Sequence, residues 1–316
     1  MHLGKCLNKM EQEITIRVGQ KPLRGFFWSP AKEPSTPDRA LVLIFPNYAG
    51  LKQFDRDVGK WVASLGYHAL VCDYYSEEEF PYPEREAANF PLESPEREKH
   101  FQKGMAVMNS CMLSKARSFL RPMVNEWLRT GIRQLTHEDV AKPDFTAGHA
   151  PVKKKIKVST LGYCLGGVAG LELWRSSGGG QSPIPLDAVV CVHGVLKTVC
   201  FDQNQKPEAI DAQKENCYNA KSHLLVEHGE SDHLVPEEMV QEFIQEADAK
   251  NCSGVTLHRH PDTPHGFALP LGVGNAAYPV ADRNSTLNIL KFWREQLFQE
   301  IPQHRVTKTP GGVDLQ

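Results

Sequence analysis

The sequence predicts an α/β-hydrolase-type α/β fold, with a mostly parallel central sheet that carries helices on both faces. Continuous apolar runs such as Ala40–Phe45 and Tyr67–Cys72 are typical of strands buried on both sides. Between these two runs, Phe54–Leu65 has apolar residues at helical spacing and ends at Gly66, a common residue after a helix. Short strands that alternate with helices indicate parallel pairing through crossover connections.

The same patterns place the other elements along the chain. Glu13–Val18 alternates polar and apolar residues, as a half-buried strand does, and Arg24–Trp28 is its expected hairpin partner. Further strands are predicted at Ile156–Leu161, Asp187–Val192, Ser222–Glu227 and Val255–His260. Helices are predicted at Met105–Gly131, Val168–Trp174, Pro236–Ala249 and Ala281–Gln299. Working residues of such sheets gather at the carboxyl ends of the strands.

One domain is expected over residues 1–302, because α/β folds often exceed 200 residues as single units. Residues from about 76 to 152 form a helical and loop excursion that we expect to cover the pocket mouth. Within it, the Glu- and Pro-rich segment Ser76–Lys99 is expected to be exposed, and Thr136–Val152 to be a loop. The polar residues 303–316 are expected to be a disordered tail.

Composition excludes several classes of protein. A net charge of −2 and a pI of about 6.7, without a basic stripe, argue against nucleic-acid binding. We expect no membrane span, because no apolar run approaches 18 residues, and no secretory signal precedes the fold. The eight cysteines show neither C-x-x-C pairs nor zinc-like spacing, so we expect no metal and a reducing, cytoplasmic location. A small-molecule substrate and no obligate protein partner are expected.

The strongest motif is Gly162-Tyr163-Cys164-Leu165-Gly166-Gly167, which directly follows a predicted strand and opens a helix. Glycines flank Cys164 at the spacing of a nucleophile elbow, a turn too sharp for larger neighbours. The turn exposes the sulfur and places it at a helix N-terminus, where the positive end of the helix dipole favours a thiolate. Cys164 is therefore the candidate nucleophile.

A base and an acid follow in the order that this fold uses. His265 comes just after the last predicted strand, and Asp232 lies just past strand Ser222–Glu227. The order nucleophile, acid, histidine predicts that Asp232 orients His265. Asp262 and Glu230 are rivals for the acid role, although Asp262 is close to His265 in sequence for a partner from another loop.

Two backbone groups are candidates for an oxyanion hole. The segment Phe45–Gly50 follows a buried strand at the place where the fold supplies one donor, and the residue after the nucleophile supplies the other. The N–H groups of Tyr48 and Leu165 are the expected donors. His193 ends another strand, where it either lines the pocket or has a structural role.

With these motifs, the chain resembles the dienelactone hydrolase family from about Ala40 to Trp293. The resemblance rests on Phe45–Gly50, Leu65-Gly66-Tyr67, Cys72-Asp73-Tyr74-Tyr75, Gly162–Gly167, His193-Gly194, Gly229–Asp232 with Val235-Pro236, and His265-Gly266-Phe267. It implies Cys164, Asp232 and His265 as a triad, without a metal or an organic cofactor. It also implies attack on a lactone or activated ester through an acyl-cysteine intermediate.

Two positions depart from the family pattern. Characterised bacterial members carry a glutamate where this chain has Asn47, and a substrate-binding arginine where it has Leu269. Asn47 cannot accept a proton, so activation of the thiol must come from His265 and the helix dipole. Leu269 suggests a less anionic substrate. Asn47, His193, Phe267 and Leu269 are the candidate pocket residues.

The sequence therefore predicts a cysteine-dependent hydrolase of a small ester, thioester or lactone. The alternative is a thiol sensor or small-molecule-binding protein on the same fold, in which Cys164 is modified and not turned over. The change at Asn47 favours this alternative, whereas an oriented base at His265 speaks against it. A serine hydrolase is a minor alternative, because the chain has no G-x-S-x-G motif.

Overall fold

A computed structural model describes residues 11–30, 39–85, 94–111, 119–140, 156–178, 184–197, 217–252, 254–268 and 278–297. The expected tail, residues 303–316, and the candidate pocket residue Leu269 lie outside the described residues. Within the described part of the chain, no helix is long and apolar enough to cross a lipid bilayer.

The described elements alternate as the apolar runs predict. The strands are β1 (Glu11–Val18), β2 (Lys21–Trp28), β3 (Arg39–Phe45), β4 (His68–Cys72), β5 (Ile156–Tyr163), β6 (Ala188–Val192), β7 (His223–Gly229) and β8 (Gly254–His260). The helices are α1 (Gln53–Ser64), α2 (Pro95–Cys111), α3 (Arg121–Val140), α4 (Leu165–Ser176), α5 (Glu237–Ala249) and α6 (Pro279–Leu297), with a short 3-10 helix at Tyr82–Arg85.

All eight strands form one sheet in the order β1-β2-β4-β3-β5-β6-β7-β8. The hairpin β1–β2 and the pair β2–β4 are antiparallel, and every neighbouring pair from β4 to β8 is parallel. The predicted fold class, an α/β-hydrolase fold with a mostly parallel sheet, is confirmed. The carboxyl ends of β3, β5, β6, β7 and β8 share one edge, so the loops after them converge there.

The central strands β3, β4 and β6 are buried on both faces, as their continuous apolar runs predict. On β3, Leu41 and Leu43 join a core with α3, α4 and α5, whereas Val42 and Ile44 join a second core with α1 and α6. Successive side chains of a strand point to opposite faces, so one apolar strand supplies both cores. The two layers of helices hold the loops at the carboxyl edge from both sides.

The excursion differs from its prediction in three ways. A helix already begins at Pro95, and a second helix runs from Arg121 to Val140, with residues 112–118 between them outside the described part. The described parts of the expected helix Met105–Gly131 are helical, whether they form one helix lies outside the described residues, and the expected loop at Thr136 begins as helix. The segment after Ser76 is not all exposed, because Phe80 and Arg85 are fully buried.

We predict that Gly59→Ala destabilises the protein. In a helix interior, alanine in place of glycine usually stabilises the helix by about 1 kcal/mol. A Cβ at Gly59 would lie 2.5 Å from Cζ3 of the buried Trp28 ring. The overpacking should lower the free energy of unfolding by about 1–3 kcal/mol in urea titrations. Lys60→Ala, on the exposed side of the same helix, is the control, and a stabilised Gly59→Ala would contradict the packing.

Candidate active site

Cys164 occupies a strained turn between β5 and α4. Its backbone has φ 55° and ψ −117°, in the positive-φ region that residues with a Cβ rarely adopt. A Cβ at Gly162 would lie 2.0 Å from the carbonyl carbon and oxygen of Gly166, and one at Gly166 would lie 1.9 Å from the Phe45 oxygen. The flanking glycines are therefore required by close backbone contact, which is the geometry of a nucleophile elbow.

Hydrogen bonds hold the backbone of this turn. The Cys164 N–H donates to the Val192 carbonyl of β6 (3.0 Å), and the Cys164 carbonyl accepts from the Gly167 N–H (3.0 Å). Leu165 is the first residue of α4, so its N–H has no partner within the helix. The Cys164 side chain is partly exposed, and it lies at the positive end of the α4 dipole.

Asp232 and His265 meet across the loops that follow β7 and β8. Asp232 Oδ2 lies 2.8 Å from His265 Nδ1, and its Oδ1 accepts a hydrogen bond from the Leu234 N–H (2.9 Å). Both side chains are largely buried, whereas the rival acids Asp262 and Glu230 are exposed. The structure thus brings together the acid and the histidine that the chain order selected.

The two partners shift each other's protonation. Burial lowers the pKa of His265, but the hydrogen bond with Asp232 and the interaction with Cys164 outweigh it and raise that pKa to about 10. Burial raises the pKa of Asp232, but the hydrogen bond and charge of His265 hold it below its usual value. His265 Nε2 is buried and makes no hydrogen bond to the described residues.

His193 lies beneath His265. Its ring packs edge-on against the His265 ring, with centroids 4.9 Å apart, and its Nε2 donates to the Ala268 carbonyl at 2.8 Å. Burial and the neighbouring His265 lower the pKa of His193 to about 4, so it is neutral near pH 7. Phe267 has no exposed surface and packs against His193. His193 therefore contacts the base directly, and Phe267 contacts His193.

The loop after β3 carries Tyr48 and lies under α2. The Tyr48 ring contacts Phe101 edge-on at 5.2 Å, and a Cβ at Gly104 would lie 2.7 Å from Cε2 of the ring. Burial and the nearby Cys164 raise the pKa of the Tyr48 phenol. The side chain therefore lies between the elbow and α2, so the excursion does reach the candidate site.

Asn47 points back into its own loop. Its Oδ1 accepts hydrogen bonds from the Ala49 N–H (3.1 Å) and from Lys52 Nζ (3.0 Å). Both of these bonds stay within residues 47–52. The side chain at this position therefore organises backbone, which the sequence alone did not suggest.

Some residues around the site were missed by sequence reasoning. Tyr74, Tyr75 and Arg85 bond the loop that carries Tyr48, and Phe101 packs on it. Only the family resemblance points to the Cys72–Tyr75 segment, and nothing in the sequence pattern around Arg85 distinguishes it from a surface residue. Among the described residues, no group of histidine, cysteine and acidic side chains is arranged to hold a metal ion.

Comparisons with known proteins identify the family of the chain. The model of the dienelactone hydrolase family matches residues 24–295. No curated protein sequence matches the chain.

Solved structures with the same fold include dienelactone hydrolases. One named m3DLH has a TM-score of 0.60 at 21% identity and covers 91% of this chain and 98% of its own. The dienelactone hydrolase-like promiscuous phosphotriesterase P91 from metagenomic libraries has a TM-score of 0.57 at 21% identity, covering 90% and 98%. A putative dienelactone hydrolase of Klebsiella pneumoniae has a TM-score of 0.57 at 16% identity, covering 92% and 98%.

We predict that His193 makes the fold sensitive to mild acid. Its pKa falls from 6.5 in the unfolded chain to about 4 in the fold, so the unfolded state binds the proton more tightly. Stability is therefore complete above pH 6.5 and is lost as pH falls towards 4, by about 2 kcal/mol between pH 7 and 5.

The measurement is the free energy of unfolding at pH 7 and pH 5. Asparagine tolerates the positive φ of 39° at this position, so His193→Asn is the test variant. Between pH 7 and pH 5 its free energy of unfolding should fall by about 2 kcal/mol less than that of the wild type. His233→Asn, at an exposed site, is the control. An unchanged pH dependence in His193→Asn would contradict the buried neutral state.

Proposed function

We infer the reaction from one premise: the chain belongs to the dienelactone hydrolase family and is a hydrolase of ester bonds. We propose that it cleaves a small ester, thioester or lactone through an acyl-cysteine intermediate on Cys164. The observation that carries this proposal is the hydrogen bond between Asp232 and His265, 2.8 Å long, beside a cysteine at a strained elbow. Nucleophile, base and orienting acid in this arrangement serve acyl transfer.

Activation of Cys164 passes its thiol proton to His265. A histidine with a pKa of about 10 keeps its proton at neutral pH, and Asp232 stabilises the imidazolium from the other side. Once the proton has passed, the sulfur is a thiolate at the N-terminus of α4, where the positive end of the helix dipole stabilises it. This ion pair activates the thiol without the carboxylate that other family members carry at the position of Asn47.

Acylation begins when the Cys164 thiolate attacks the carbonyl carbon of the substrate. The carbonyl oxygen becomes an oxyanion, which accepts hydrogen bonds from the N–H groups of Tyr48 and Leu165. The tetrahedral intermediate collapses, the bond to the leaving oxygen or sulfur breaks, and His265 gives its proton to that leaving group. An acyl-cysteine remains.

Deacylation reverses the roles. His265, now neutral, takes a proton from a water molecule, and the resulting hydroxide attacks the acyl carbon. The second tetrahedral intermediate expels the Cys164 thiolate and releases a carboxylic acid. Asp232 keeps Nδ1 of His265 protonated throughout, so Nε2 faces the reacting atoms.

Leu269 in place of a substrate-binding arginine supports a substrate with less negative charge. In addition, Cys72, Cys164, Cys191 and Cys217 form no disulfide bond within the part of the chain that the structure describes, which supports a cytoplasmic location with a reducing environment. The thiol-sensor alternative needs a reactive cysteine but no oriented base, so the Asp232–His265 pair speaks against it.

We predict that purified protein hydrolyses p-nitrophenyl acetate or butyrate, or a small neutral lactone, and that Cys164→Ala abolishes this turnover. Cys217→Ala, which removes an exposed cysteine, should retain it. A paraoxon-type phosphotriester belongs in the same panel, because P91 is described as a promiscuous phosphotriesterase. Fast alkylation of Cys164 without any turnover would favour the sensor, and turnover of carboxylate-bearing lactones alone would contradict a less anionic substrate.

We predict that Asp232→Asn lowers kcat by about 100-fold or more, because the amide no longer fixes the tautomer of His265. Asp262→Asn, the matched change at the exposed rival, should stay within about twofold of the wild type. Steady-state kinetics on the best ester measures both variants. A larger loss in Asp262→Asn than in Asp232→Asn would reverse the assignment of the acid.

A further inference from the structure

The loop that carries Tyr48 is held by side chains from outside it. Tyr74 Oη donates to the Pro46 carbonyl at 2.8 Å, and Tyr75 Oη donates to the Tyr48 carbonyl at 2.9 Å. Lys52 Nζ donates to the Gly50 carbonyl at 3.1 Å. The carbonyl oxygens of Pro46, Tyr48 and Gly50 thus each accept a hydrogen bond from a side chain.

Asn47 completes the set from inside the loop. Its carbonyl accepts the Gly50 N–H at 3.0 Å, which closes a tight turn, and its side-chain Oδ1 accepts the Ala49 N–H at 3.1 Å. The peptide between Tyr48 and Ala49 is therefore held at both ends, by Tyr75 on its oxygen and by Asn47 on its nitrogen. A trans peptide is rigid and planar, so two such bonds fix its orientation.

The bond from the Gly50 N–H to the Asn47 carbonyl sets the direction of the Tyr48 N–H, which lies in the preceding peptide. That N–H points opposite to the Asn47 carbonyl in the same peptide plane, and this carbonyl is turned inward towards Gly50. The Tyr48 N–H donates to no group in the described part of the chain. The start of the loop lies against the elbow, since a Cβ at Gly166 would lie 1.9 Å from the Phe45 oxygen.

A buried ion pair anchors the residues that hold the loop. Arg85, fully buried, pairs with Asp73 and also donates to the Tyr75 carbonyl at 3.2 Å. Asp73 Oδ1 accepts the N–H groups of Tyr74 (2.8 Å) and Leu51 (3.2 Å). Tyr74 and Tyr75 are themselves buried. Their hydroxyl groups therefore reach the loop from a rigid base.

We propose that Tyr75 and Asn47 are positioning residues, which hold the Tyr48–Ala49 peptide within the turn so that the neighbouring Tyr48 N–H faces the oxyanion. The inference rests on the proposed function and deepens it. It gives Asn47 a specific task in this chain, as the acceptor that locks the oxyanion loop. Neither residue touches the substrate, and both act through the Tyr48 backbone.

The role predicts a loss in kcat with little change in KM, because the oxyanion forms only after binding. Tyr75→Phe and Asn47→Ala each remove one of the two bonds and should lower kcat on p-nitrophenyl acetate by about tenfold, less than the loss of a donor itself. Asn47→Asp keeps an acceptor for Ala49 and Lys52, so it should recover most of the activity that Asn47→Ala loses. Tyr67→Phe is the matched control, since it removes another buried hydroxyl, beside Trp293.

A trifluoromethyl ketone provides a readout that does not require turnover. The Cys164 sulfur adds to its carbonyl carbon, the carbonyl oxygen becomes an oxyanion, and no group leaves. Fluorine NMR then measures the affinity of this adduct, which we expect to fall about tenfold in Tyr75→Phe and Asn47→Ala and to hold in Tyr67→Phe.

The outcomes separate this inference from the proposed function. A wild type that binds the ketone but hydrolyses no ester would refute the proposed function, and weaker adducts in both variants would still support the positioning role. If Tyr75→Phe and Asn47→Ala keep the wild-type kcat and adduct affinity, the positioning role is overturned. A loss that Tyr67→Phe matches would also overturn it, because that loss would be one of general stability.

Discussion

The close approach of two backbone segments at Cys164 is the constraint on which the site depends. The turn between β5 and α4 leaves no room for a side chain at Gly162 or Gly166, where a Cβ would lie within 2.0 Å of other backbone atoms. One consequence is the strained backbone of Cys164, which lifts its sulfur to the start of α4. Another is contact with the end of β3, which brings the loop that carries Tyr48 to the same place.

The two histidines in contact have pKa values shifted in opposite directions. His265 has a carboxylate and a cysteine as neighbours, and its pKa is raised to about 10, whereas buried His193 has its pKa lowered to about 4. A neutral ring under a charged one avoids repulsion between like charges and still fills the space behind the base. The Asp73–Arg85 pair shows a similar use of burial: such a pair is costly to desolvate, but it fixes several loop backbones at once.

Local patterns predicted the parts of the molecule that local geometry determines. The strands from Ala40 onwards, the elbow at Cys164 and the order of Asp232 and His265 all follow from apolar periodicity, glycine spacing and chain order. The residues that hold the loop of Tyr48 could not be found in this way, because their bonds join positions far apart in sequence without a repeating pattern. Tyr75 bonds Tyr48 across 27 positions, and Arg85 is buried in a segment whose Glu- and Pro-rich composition indicated exposure.

The central claim is that Cys164 carries the acyl group, and acid-quenched turnover with mass spectrometry tests it most directly. The protein is mixed with p-nitrophenyl acetate, stopped within one turnover and digested. We predict one added acetyl group on the peptide that contains Cys164, which is absent from Cys164→Ala and removed by hydroxylamine. Steady hydrolysis with an acetyl group on another side chain would contradict the account, as would hydrolysis that survives in Cys164→Ala.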